Sequence, residues 1–136
     1  MTINMGQHHV IPSDLEAART LQEAIEVAVK PFFEESEAFA IKMAVEESLV
    51  NAIKHGNQMD PSKFVRVEYD VSPEEVQVHI TDEGPGFNPE DVPDPTAPEN
   101  LERPCGRGLL LIRYYMSDVS FRNNGRTIVL TKRRKK

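Results

Sequence analysis

The sequence predicts an α/β two-layer sandwich in which helices cover one face of an antiparallel sheet, and two periodic patterns carry that prediction. Between Ser36 and Gly56 there is no proline or glycine, and apolar or small residues recur at the intervals of an amphipathic helix. Residues 64–71 and 76–81 instead alternate apolar and polar side chains, as half-buried strands do. Residues 72–75 have the composition of a turn, so we expect a hairpin.

Upstream of the long helix, the sequence predicts an edge strand and a first helix. The apolar residues available for the strand are Ile3, Met5, Val10 and Ile11. Ser-Asp-Leu-Glu at residues 13–16 has the form of a capping box, which predicts a helix to about Val29. Three phenylalanines are expected to pack between the two helices, namely Phe32, Phe33 and Phe39.

Downstream, the sequence predicts one more helix and a second hairpin. The apolar run after Gly108 indicates a helix that ends at about Met116. Residues 119–123 and 127–131 are the expected strands, and Asn124-Gly125 between them is a strong signal for a tight turn.

The composition is that of one acidic domain. At 136 residues the chain is long enough for a single sizeable core, and we expect residues 1–136 to form one domain. One cysteine, no long apolar run and no signal-peptide pattern predict a cytoplasmic protein without a membrane partner. The tail at residues 132–136 holds five of the 16 basic residues, and the acidic body that remains argues against direct nucleic-acid binding.

Three polar residues of the long helix lie in one column beside its apolar stripe. Glu47, Asn51 and His55 are spaced by four residues, whereas Glu46 falls on the opposite edge. Carboxylate and carboxamide oxygens suit Mg²⁺, which binds through few protein groups together with waters and phosphates. Taken alone, the column does not exclude an ordinary helix with a wide polar face.

An acidic residue ends the strand at residues 76–81. Asp82 falls on the same face as Val78 and Ile80, so it points towards the core side, where an unpartnered carboxylate is costly. The chain then turns through Gly84-Pro85-Gly86, where glycines permit close approaches. This arrangement suggests a ligand that donates a hydrogen bond, such as the amino group of adenine.

A second glycine motif precedes the last predicted helix. Gly106-Arg107-Gly108 stands before an apolar run, and backbone N–H groups at a helix start form an anion site. Arg107 adds charge-assisted donors for phosphate. A lone Gly-x-Gly is weak, but the order of helix column, Asp-Gly-x-Gly motif and second glycine motif is specific.

The three elements resemble the ATPase superfamily shared by DNA gyrase, histidine kinases, the ninety-kilodalton heat-shock chaperone and MutL. The matching motifs are the N box at Glu47-x-x-x-Asn51, the first glycine box at Asp82-x-Gly84-x-Gly86-Phe87 and the second at Gly106-x-Gly108-Leu109. Residues 47–56 and 94–101 are typical of the anti-sigma factor and serine-protein kinase family of bacterial partner-switching systems. The resemblance covers residues 10–132 and implies a Bergerat-type ATP-binding fold with a mixed, mainly antiparallel sheet.

The resemblance also implies residue roles, with ATP and Mg²⁺ as cofactors. Asn51 is expected to hold Mg²⁺, Glu47 to accept the proton of the attacking hydroxyl, and Asp82 to bind the adenine amino group. The other residues implied to contact the nucleotide are His55, Gly84, Gly86, Phe87, Arg103, Gly106, Arg107, Gly108, Leu109 and Thr127. Because Arg126 stands where relatives often have the first of two threonines, the register at Thr127 is open.

Residues 88–106 connect the two glycine motifs. They contain five of the ten prolines and show little hydrophobic periodicity, so we expect a long loop. Its position between the motifs predicts a lid over the nucleotide, with Arg103 and Arg107 near the phosphates. A solvated linker is the alternative.

The implied function is that of an ATP-binding anti-sigma regulatory factor and serine/threonine protein kinase. Its implied partners are a STAS-type anti-anti-sigma protein, which it phosphorylates, and in many members an alternative sigma factor. Relatives are often dimers, so a homodimer is expected. A nucleotide-gated binding module with little kinase activity, a partner switch in another system and a detached histidine-kinase domain remain alternatives.

Overall fold

A computed structural model describes residues 6–86 and 104–134, with the backbone alone for residues 104–109. Three helices pack on one face of a five-stranded sheet with the order β1-β2-β3-β5-β4, as predicted. The elements in chain order are β1 (Gln7–Pro12), α1 (Leu15–Val29), α2 (Glu35–Asn51), a π-helical turn (Ala52–Gly56), β2 (Phe64–Val71), β3 (Glu75–Thr81), α3 (Pro104–Tyr115), β4 (Asp118–Arg122) and β5 (Thr127–Arg133).

All four strand pairs within the described residues are antiparallel, so the parallel pairing of a mixed sheet is not found there. The predicted edge strand is confirmed at Val10 and Ile11, whereas Ile3 and Met5 lie outside the described residues. None of the helices in the described ranges has the length and apolar character needed to cross a lipid bilayer.

Alternation along the strands places one row of apolar side chains against the helices. Val67 pairs with Ile80 and Tyr69 with Val78, and all four are buried on the helix-facing side. Burial of such side chains contributes about 25 cal/mol per Å² of apolar surface removed from water. The largest side chains that are almost fully buried are Ile25, Ile41, Leu49, Ile53, Ile80, Ile112 and Leu130.

Two expectations about the first helix and its surroundings are wrong. Asp14, not Ser13, caps α1, because its carboxylate accepts a hydrogen bond from Glu16 N (3.2 Å). The Ser13 hydroxyl is instead buried and donates to Lys63 O (2.7 Å). Phe33 is buried as predicted, but Phe39 is 52% exposed and makes an edge-to-face contact with Tyr115.

The long helix changes its geometry near its end. The α-helix stops at Asn51, and residues Ala52–Gly56 form a π-helical turn that the hydrogen bond from Asn57 N to Ala52 O (2.8 Å) closes. The predicted continuous helix to Gly56 is therefore wrong in its last turn. Such wide turns are rare in proteins, and those that occur are often found at functional sites.

The side chain of Asn57 joins four segments of the chain. This residue is fully buried, and its Nδ2 donates to Ser13 Oγ and Phe64 O, both at 3.0 Å. Its Oδ1 accepts from Glu83 N at 2.7 Å. The end of the π-helical turn, the start of α1, the start of β2 and the loop after β3 are consequently fixed to one another.

Asn57→Ala is expected to lower the free energy of unfolding by about 2–4 kcal/mol, because it leaves buried donors and acceptors without partners. Ser13→Ala removes one contact of the same network and should cost about 1 kcal/mol. Urea unfolding followed by circular dichroism measures both. A loss below about 0.5 kcal/mol for Asn57→Ala would mean that the network is not required.

Candidate functional site

Three segments meet at the end of the helix layer where α2 finishes. A Cβ atom added to Gly56, in the π-helical turn, would overlap the carboxyl group of Asp82. One added to Gly84 would overlap Gly56 O, and one added to Gly86 would overlap Asn124 O in the β4–β5 turn. Only glycine permits these approaches, and Gly86 also has a positive φ of 76°. The predicted first glycine motif is therefore the junction of the three segments.

Asp82 continues the helix-facing side of β3 and is half-buried. Its Oδ1 accepts a hydrogen bond from Gly84 N at 2.8 Å, and its own N–H donates to Arg126 O at 3.0 Å. Within the described residues, its Oδ2 accepts no hydrogen bond. Burial raises the pKa of Asp82, and the Gly84 N–H, Arg126 and Lys63 oppose that rise.

This geometry suits a ligand that carries a hydrogen-bond donor. One carboxylate oxygen is already held by the loop, and the other has acceptor capacity beside a tightly packed backbone. A planar base with an exocyclic amino group meets this requirement, because the second carboxylate oxygen can accept from the amino group. The residues present therefore fit the adenine of ATP.

The helix column is only partly retained. Glu47 and Asn51 lie one turn apart on α2 and are half-buried, whereas Glu46 is exposed, as the helical-face argument predicts. His55 lies in the π-helical turn and is exposed. His55 therefore differs in exposure from the half-buried Glu47 and Asn51, and its contact with the nucleotide stays a prediction.

The second glycine motif lies inside α3 and not before it. The helix begins at Pro104, four residues before the predicted Gly108, so the backbone of Gly106, Arg107, Gly108 and Leu109 is helical. The motif stays a candidate anion site, because N–H groups of the first helical turn, including that of Gly106, have no intrahelical acceptor.

The orientation of α3 directs this N-terminus towards the site. The C-terminal Tyr115 contacts Phe39 near the start of α2, with ring centroids 6.2 Å apart, and the two helices pack against each other. Helix α3 therefore runs back along α2, and its first turn faces the Glu47–Asn51 end. Phe87, Arg103 and the predicted lid up to residue 103 lie outside the described residues.

Thr127 does not face this site. It pairs with Thr81 across β3 and β5, and the two hydroxyls are 2.8 Å apart. Asn123 Nδ2 also donates to Thr127 Oγ1 at 2.8 Å. Because side chains alternate along a strand, Thr81 and Thr127 lie on the sheet face opposite to Ile80, away from the helices. The predicted adenine contact of Thr127 is therefore contradicted by the register.

Sequence reasoning missed three residues that shape the site. Gly56 packs on Asp82, Asn57 accepts a hydrogen bond from Glu83 N, and Arg126 lies opposite Asp82 immediately before β5. In the sequence, the Gly56-Asn57 pair has only the composition of an ordinary turn. The sequence shows Arg126 only as a replacement for a threonine that relatives often have. Its position opposite Asp82 could be known only from the strand register.

Comparisons with known proteins agree with the motifs. A family model for the histidine kinase-like ATPase domain matches residues 11–132. An anti-sigma F factor from Clostridium perfringens is 34% identical over 99 residues, which cover 68% of this chain and 70% of that protein. Serine-protein kinases RsbW from Oceanobacillus iheyensis and Listeria innocua are 29% and 31% identical over 99 residues, covering 68% of this chain and 63% of each relative.

A solved structure of the RsbU and RsbW domains of a Mycobacterium tuberculosis protein has the same fold. It matches 93% of this chain and 31% of its own, with a TM-score of 0.64 and 17% identity. The family model covers most of the sequence, and its match includes the helix column and both glycine motifs. On these grounds the chain belongs to the histidine kinase-like ATPase domain family.

Proposed function

We propose that this protein is an ATP-binding anti-sigma regulatory factor and a serine/threonine protein kinase that phosphorylates a STAS-type anti-anti-sigma protein. The observation that carries the proposal is the half-buried Asp82, whose Oδ1 is held by Gly84 N while its Oδ2 is available to a ligand. Names of relatives, anti-sigma F factor and serine-protein kinase, support the regulatory and kinase parts. The alternative sigma factor and the homodimer belong to the same proposal.

Nucleotide binding is assigned to two ends of the site. Asp82 accepts from the adenine amino group, and Gly84 and Gly86 permit the tight loop that holds its carboxylate beside the base. The N-terminal part of α3, which carries Gly106, Arg107 and Gly108, binds the phosphates through the free N–H groups of its first turn and through its positive end. Phe87, Arg103 and Leu109 are proposed as further contacts. The contact of His55 with the nucleotide stays a prediction, whereas Thr127 is left out because it faces the opposite side of the sheet.

Phosphoryl transfer requires mainly positioning and charge neutralisation. Glu47 accepts the proton of a partner serine or threonine hydroxyl while that oxygen forms a bond to the γ-phosphorus. The bond from the γ-phosphorus to the bridging oxygen breaks, and ADP leaves. Asn51, one turn from Glu47, would hold Mg²⁺, which neutralises phosphate charge when bound. A nucleotide-gated module without kinase activity would not need a half-buried carboxylate at position 47.

Asp82→Asn is expected to abolish ATP binding, because a carboxamide lacks the second acceptor that the adenine amino group needs. The fold should persist at neutral pH with an equal or higher melting temperature. The folded-state pKa of Asp82 is raised, so the ionised carboxylate costs stability above that pKa, and a neutral side chain avoids the cost.

Calorimetric titration with Mg-ATP and thermal melting test this variant. Binding by the wild-type protein should also weaken as the pH falls through the raised pKa of Asp82, because a protonated carboxyl loses acceptor capacity. Unchanged ATP affinity in the variant would discard the adenine assignment.

Glu47→Ala is expected to keep ATP binding and to lower phosphate transfer by about 10²–10⁴-fold, because the proton acceptor is removed. Glu46→Ala is the matched control, since that neighbouring carboxylate is exposed. The assay follows labelled γ-phosphate from Mg-ATP to the STAS-domain protein encoded nearest in the genome. Equal losses in both variants would refute the assignment of Glu47. An ATP-dependent complex without label would favour the binding module.

A further inference from the structure

Arg126 occupies the position opposite Asp82 in the sheet. Asp82 N donates to Arg126 O at 3.0 Å, directly beyond the last β3–β5 pair, Thr81 with Thr127. The residue beside Asp82, immediately before the start of β5, is therefore an arginine. Relatives often have a threonine at this position. The arginine side chain is longer and charged, so its contacts differ from those of a threonine hydroxyl.

The guanidinium of Arg126 donates to three backbone carbonyls. Nε donates to Gly84 O at 2.8 Å, Nη2 to Pro85 O at 3.2 Å and Nη1 to Asn123 O at 3.3 Å. Two of these acceptors belong to the glycine loop after Asp82, and the third belongs to the β4–β5 turn. One planar side chain thus joins two segments, which its fixed fork of donors suits well.

The glycine loop has little freedom to adjust around this side chain. Gly84 packs against Gly56 O, Gly86 packs against Asn124 O, and a Cβ on Gly86 would lie 3.3 Å from Arg126 Cγ. The same residue, Gly84, donates its N–H to Asp82 Oδ1 while its carbonyl accepts from Arg126. The orientation of the Asp82 carboxylate is therefore coupled to the position of the guanidinium.

We propose that Arg126 is a positioning residue for nucleotide selection, which holds the glycine loop so that Asp82 Oδ2 is presented to the adenine amino group. This inference rests on the proposed ATP site and adds to it the group that orients its base acceptor. Guanine has a carbonyl where adenine has the amino group, so a correctly oriented carboxylate favours ATP over GTP. Loss of that orientation is expected to lower both the affinity for ATP and the preference for ATP over GTP.

The test compares Arg126→Gln, Arg126→Lys and the wild-type full-length chain by calorimetric titration with Mg-ATP and Mg-GTP. Arg126→Gln should weaken Mg-ATP binding about tenfold or more and lower the ratio of ATP to GTP affinity. Arg126→Lys should be intermediate, because an ammonium group reaches fewer of the three carbonyls. Arg122→Gln, an exposed arginine on β4, is the matched control and should bind as the wild type does.

The outcomes separate this inference from the proposed function. If the wild-type chain binds neither nucleotide, the ATP site itself is refuted. If the wild type binds Mg-ATP and Arg126→Gln retains the same affinity and the same ATP-to-GTP ratio, only the role of Arg126 is refuted. A lower melting temperature with an unchanged nucleotide ratio would assign Arg126 to general stability and would also overturn the inference.

Discussion

The buried carboxamide of Asn57 is the contact on which the site depends. It stands immediately after the π-helical turn, and its three hydrogen bonds hold Ser13, Phe64 and Glu83. Glu83 directly follows Asp82, so the same network fixes the backbone on the C-terminal side of Asp82, where the chain leaves the sheet. Glu83 Oε2 adds an acceptor for Phe64 N at 2.6 Å. A polar group that is fully satisfied inside the protein thereby specifies one arrangement of four segments.

Asp82 is a half-buried acid whose ionised form is disfavoured by burial and favoured by its neighbours. Burial raises its pKa, and the Gly84 N–H and the charges of Arg126 and Lys63 act in the opposite direction. A half-buried carboxylate interacts more strongly with a hydrogen-bond donor than an exposed one does, because less water competes. A locally unfavourable group of this kind is common at functional sites, which supports the proposed role of Asp82.

Periodicity predicted most of the fold, because burial on one face dictates the spacing of apolar residues. The exposed Glu46, the half-buried Glu47 and the alternation along β2 and β3 all followed from that rule. Competition between local hydrogen bonds could not be predicted from the sequence. Ser13 donates to Lys63 O and does not cap α1. No sequence signal predicted the π-helical turn after Asn51. The face of Thr127 was mistaken because a shift of one residue in strand register reverses every side chain.

The pairing of β3 with β5 has a consequence for the order of folding. It joins Thr81 to Thr127, residues 46 positions apart, whereas β2 and β3 are connected by a short turn. Closing a long loop costs chain entropy before its contacts repay it, so the β2–β3 hairpin is favoured to form earlier than the β5 docking. Asp82 and Arg126 come together only in that later step. A ligand that requires both residues would therefore stabilise the completed domain and not the partly folded intermediates.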